Sequence, residues 1–136
     1  MELIESGANI VNLLELLFKD RKVDKNMLLC GDRVAASLVI DDLYVVQIHE
    51  NIAVHYRKGE DEKLRKMARA RQTEQLVKNE LGDQAQLFLI SYVEMEYAQN
   101  EATYLENVLE PILDGKIKIF GSEEWLITKF EQIKTD

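Results

Sequence analysis

The sequence predicts an α+β (mixed α/β) fold in the order α-β-β-β-α-β-α-β-α, with a mixed sheet of about five strands that contains an antiparallel meander and packs against helices. Three observations predict it. Val34 to Ile40, Leu43 to His49 and Ile52 to Arg57 are rich in Val, Ile and Tyr, and the pairs Asp41-Asp42 and Glu50-Asn51 between them suit short hairpin turns. Gln86 to Tyr92 is nearly continuous in apolar residues, as expected of a strand covered on both faces. Segments of helical period flank that strand, so the meander is followed by β-α-β crossovers.

Leu3 to about Lys19 reads as the first helix, because Leu3, Ile4, Ile10, Val11, Leu14, Leu17 and Phe18 recur at three- and four-residue steps. Leu13 and Leu16 widen the stripe, which implies burial on more than one side. Arg21 to Asn26 reads as a polar loop, and Met27 to Cys30 as a short extended piece ended by Gly31-Asp32. After the meander, Gly59 opens a helix whose first turn holds Glu60, Asp61 and Glu62, where acids complement the helix dipole, and Gly82 closes it. A further helix runs from about Met95 to Glu110; Pro111 permits one more turn, and Asp114-Gly115 ends it. Lys116 to Phe120 alternates charged and apolar residues and reads as a strand, placed at an edge where lysines discourage unwanted pairing. Ser122 caps a last helix, with Glu123 and Glu124 in its first turn and Trp125, Leu126, Phe130 and Ile133 as its apolar face.

With 136 residues, 46% hydrophobic and 31% charged, the chain is read as a single globular domain over residues 1–136, with a core that needs no metal or disulfide. One cysteine cannot form an internal disulfide, so a reducing, cytoplasmic setting is expected. The apolar run Ile10 to Phe18 lacks a basic flank and a small-residue cleavage site, and Asn12 and Glu15 interrupt it well short of the roughly 20 residues that span a bilayer. It is read as a buried helix, and no membrane association is expected.

Charge is segregated. Residues 57–78 carry eight bases against four acids, a local balance of +4 in a chain of net charge −8, whereas Asn79 to Gly115 holds eight acids and no Lys or Arg. On the basic helix, Leu64, Met67, Ala68, Ala70, Val77 and Leu81 cluster on one side and Arg65, Lys66 and Arg69 project from the other. These three cations could bind an anionic partner; they could equally form a solvated face paired with the chain's own acids or with those of a second subunit. No aromatic residue interleaves them to stack bases, and nucleic acid is expected to bind, if at all, only through this helix at 60–81. Arg71 falls inside the apolar arc and reads as snorkelling to the rim or partly buried with an ion-pair partner.

A second candidate lies at the strand ends. If the third and fourth strands are parallel, their carboxyl ends emerge on one edge, where open α/β sheets place ligands. There Arg57 and Lys58 leave one strand, while Ser91, Glu94 and Glu96 follow the other. Arg57, Glu94 and Glu96 could hold a divalent metal or serve acid and base roles, or form a salt-bridge network at the mouth of the sheet. His49 and His55 fall on opposite faces if Glu50-Asn51 is a two-residue turn, with His49 facing Ile52 and His55 facing Val46, so they do not share a metal. Cys30 has no local activation and reads as an inert, partly buried thiol. Tyr97 and Tyr104 read as packing residues.

The element order resembles that of restriction-endonuclease-like folds, whose site carries an Asp on the second strand and an acid-x-Lys on the third. Here Asp42 precedes the strand read as second, and the third reads Val54-His55-Tyr56-Arg57, so the acid is missing and no family is assigned. A phosphate-binding Gly-rich loop, zinc-ligand spacing, an EF-hand and a serine elbow are all absent from the sequence, and no cofactor is expected. The leading expectation is a non-enzymatic interaction or regulatory module that binds a protein partner through a charge-segregated surface and self-associates, a homodimer being the simplest form. The rival is a metal-dependent nucleic-acid-processing or phosphate-handling enzyme, and a third reading is ligand sensing in an apolar pocket between sheet and helices. The disposition of the basic and acidic helices decides how the charge is displayed: on opposite faces they make a two-faced molecule, the sharper form of the interaction reading, and on one face they largely neutralise one another within the fold.

Overall fold

The computed structural model describes residues 7–50, 60–92, 99–119 and 123–135, with side-chain surroundings given for 9–48, 67–90, 106–118 and 123–135. Within them the order is α1 (Gly7–Leu17), β1 (Val23–Leu29), β2 (Val34–Ile40), β3 (Tyr44–Glu50), α2 (Glu60–Leu81), β4 (Gln86–Tyr92), α3 (Gln99–Leu113), β5 (Ile117–Ile119) and α4 (Glu123–Thr135). The five strands form one mixed sheet in sequence order, with β1, β2 and β3 antiparallel to their neighbours and β3, β4 and β5 parallel. The predicted class and order are those observed.

The meander is displaced by one strand from the predicted one. Its first strand is β1, which covers the stretch read as polar loop and short extended piece; the predicted third strand, Ile52 to Arg57, lies outside the described residues. Val46 is opposite Leu38 on one side and Phe88 on the other, in place of the expected His55. The physical reason is that β1 is an edge strand with one flank in water, so Asp24, Lys25 and Asn26 are tolerated where a central strand would need apolar residues.

The two crossovers, through α2 and α3, step in the same direction across the sheet, and right-handed crossovers of that kind put both helices on one face. They lie there together. Val77 of α2 and Val108, Leu109 and Leu113 of α3 share a core with Val45, Leu87 and Leu89. Ile10, Leu14 and Phe18 from the α1 region and Leu126, Phe130 and Ile133 of α4 fill the opposite face with Val46, Phe88 and Ile90. The alternation along β4, Leu87 and Leu89 inward to one side and Phe88 and Ile90 to the other, is why its sequence reads as a continuous apolar run.

Of the wide apolar stripe predicted on α1, Ile10 and Leu14 are fully buried, along with Phe18 just beyond the helix, while Leu16 is 69% exposed; burial is one-sided. α3 does run through Pro111 for one more turn before Asp114 and Gly115 enter the left-handed region at φ 45° and 75°. Gly115 donates its amide to Glu110 Oε1 at 2.6 Å, which closes the helix end.

The β1–β2 ribbon is not flat. The Cα partners run from Val23↔Ile40 to Leu29↔Val34, but the pair between Lys25↔Leu38 and Met27↔Ala36 drops out. Asn26 there has φ 50°. On either side of Asn26 and Ser37 the buried faces exchange: Val23, Leu38 and Ile40 pack with α1 and α4, whereas Met27, Leu29, Val34 and Ala36 pack with α2 and α3. The β2–β3 ladder stops at Leu38↔Val46. Beyond it, side chains take over the bridging: Ser37 Oγ accepts from the Ile48 amide at 3.1 Å, and Gln47 Nε2 donates to the Ala35 carbonyl at 3.1 Å.

Candidate functional site

α2 is 22 residues long, about 33 Å at 1.5 Å per residue, so it outreaches the seven-residue strands beneath it. Over residues 67–81 only Val77 is fully buried; Met67, Ala70, Leu76 and Leu81 pack against the core but stay half-buried. Ala68, Arg69, Arg71 and Gln72 are exposed, so the middle of this helix stands in water on most of its circumference. Arg69 is on the flank the sequence assigned to it. Arg71 is exposed and is neither buried nor in an ion pair among the described residues, because the apolar arc it was placed in is shallow at that level. Arg65 and Lys66 lie on the same helix, four and three residues before Arg69, and their side chains lie outside the described residues.

Placing α2 and α3 on one face answers the question of charge display: the basic and acidic helices are neighbours in one layer. Among the described residues Arg69 makes no ion pair, and Glu106 of α3 pairs with Lys118 of β5 at 3.6 Å. Glu110 is spent on the Gly115 amide. The exposed Arg69 and Arg71 of α2 therefore lie in one layer with α3, whose sequence holds no cation.

At the carboxyl edge of the parallel strands, β3 and β4 run in register with His49 opposite Ser91 and Glu50 opposite Tyr92, and Ser91 is also opposite Ile119. The parallel pairing expected there exists, with β3 in the role given to Ile52–Arg57. Arg57, Glu94, Glu96, His55 and Tyr97 lie outside the described residues, as does the side chain of Tyr104. Strand order does not reverse among β3, β4 and β5, and the segments that follow these strands at this edge lie outside the described residues. Of the acid pair in the resembling nuclease folds, β2 has no carboxylate and β3 has only the terminal Glu50, with Gln47-Ile48-His49 where an acid-x-Lys would stand. No group of three metal-ligating side chains occurs among the described residues.

The thiol of Cys30 is positioned by a turn that sequence alone did not reveal. Cys30, Gly31 and Asp32 all have positive φ, at 55°, 61° and 71°, and the Cys30 carbonyl accepts from the Arg33 amide at 3.3 Å. The Cys30 amide donates to Glu80 Oε2 at 2.5 Å and Sγ donates to the Leu76 carbonyl at 3.1 Å, which ties the hairpin tip to α2. Burial first, then the Glu80 carboxylate, raises the thiol's pKa, against a smaller opposing pull from Arg33. An inert, partly buried thiol is what this produces.

At the other end of the sheet Asp41 and Asp42, at φ 56° and 54°, are the central residues of the turn between β2 and β3, with the Leu43 amide bonded to the Ile40 carbonyl at 3.0 Å; because Ile40 is opposite Tyr44, Leu43 belongs to the turn and not, as predicted, to the strand. Arg21 holds Asp41, with Nε 2.7 Å from Oδ2, and Lys22 holds Asp42 at 2.8 Å. Both cations have raised pKa values, chiefly from these hydrogen bonds. Arg21 Nη1 also reaches the Lys134 carbonyl at 3.4 Å and Lys134 Nζ reaches that of Leu17 at 2.8 Å, so the ends of α1 and α4 join the same cluster. A hollow of about 460 Å³ lies along α4, lined by Glu124, Trp125, Thr128, Lys129 and Gln132; it is open to solvent, and polar and apolar surface are mixed in its lining. No described helix is long and apolar enough to cross a membrane.

Comparison with protein-family models, with curated proteins and with solved structures finds no match.

Proposed function

We propose that the protein is a cytoplasmic, non-enzymatic interaction or regulatory module that binds a protein partner through the charged α2–α3 face. The observation that carries this reading is the state of Arg69 and Arg71: both are exposed and neither makes an ion pair among the described residues, on a stretch of helix, 67–81, in which only Val77 is fully buried. Exposed cations beside a cation-free helix favour an acidic partner surface. The half-buried Met67, Ala70 and Leu76 beside them favour a protein over a nucleic-acid backbone, since phosphate contact makes no use of apolar rim.

The test is fluorescence anisotropy with a labelled Glu/Asp-rich peptide and with single- and double-stranded oligonucleotides. Salt-sensitive binding of the peptide, lost in an Arg65/Lys66/Arg69 triple alanine, is expected. Equal binding by the triple alanine, or tighter binding of the oligonucleotides, would overturn the reading. Metal-dependent turnover of a phosphodiester would replace it with the enzymatic one.

A further inference from the structure

We draw no further inference here: the strongest candidate, the hollow of about 460 Å³ along α4 between Glu124 and Gln132, is lined among the described residues by that one helix alone, and nothing in the structure shows what faces it or what it would hold.

Discussion

Ser37 Oγ accepts the Ile48 amide at 3.1 Å, two residues beyond the last backbone pair of β2 and β3. The hydroxyl stands in for a carbonyl that has turned away with the hairpin, and so it marks the point where Met27 to Ala36 leave the plane of the sheet and fold toward α2. Ser37→Ala leaves the Ile48 amide without this acceptor. The expected cost is about 1–3 kcal/mol. Hydrogen exchange read by mass spectrometry should show faster exchange over residues 27–36 with Leu38 to Ile40 protected as before; uniform acceleration across the sheet would contradict a hinge at this position.

The Cys30 thiol should react slowly. Its pKa is raised by burial and by Glu80, so less thiolate is present near neutral pH than for a free cysteine, and iodoacetamide labelling should lag behind a cysteine peptide. Glu80→Gln should speed it. The sign of the stability effect follows: a raised folded-state pKa contributes stability that is intact below the ordinary thiol value of about 8.5 and is lost as pH rises through the higher folded value. Urea unfolding across the alkaline range should show wild type losing stability relative to Cys30→Ser.

Asp41 and Asp42 make unlike contributions to one turn. Both occupy left-handed conformations that cost an L-residue about 1 kcal/mol or more and glycine almost nothing. Asp42 pairs with Lys22 where both side chains are more than half exposed, an arrangement of little worth, so Asp42→Gly should raise the melting temperature. Asp41 pairs with Arg21 at 26% and 31% exposure, and Arg21 also reaches α4. Asp41→Gly should therefore raise the melting temperature less than Asp42→Gly, or lower it.

Phe130 should be the costliest single truncation on its face. Its ring meets Phe18 edge-on at 6.1 Å and Phe88 at 4.8 Å, and all three are buried. Phe130→Ala is expected to destabilise by about 3–5 kcal/mol, read as a lower urea midpoint with the slope unchanged.

Elements whose packing imprints a period were legible in the sequence: β4 by its unbroken apolar run, α4 by Leu126, Phe130 and Ile133, and the turn at Asp41-Asp42. β1 was not, because an edge strand shares the composition of a loop when one flank faces water, and because Asn26 breaks its alternation midway. A clue was present in the pairing of an Asn able to adopt positive φ with the lone hydroxyl of β2. For Arg71 the sequence left two readings open, at the rim or partly buried in an ion pair, and the residue is exposed; a helical wheel gives direction but not the depth to which a helix sinks. The shared face of α2 and α3 needed the strand order, which no local pattern encodes.

α4 pairs with α1 across the same face of the sheet, from opposite ends of the element order. During synthesis every strand of that sheet is made before α4, so Phe18 and Phe88 wait uncovered until the final helix emerges. One face of the molecule can mature while the chain is still growing, since α2 and α3 directly follow the strands they cover. The other cannot, and a chain stalled before Trp125 would present that bare aromatic surface to whatever chaperone attends the nascent polypeptide.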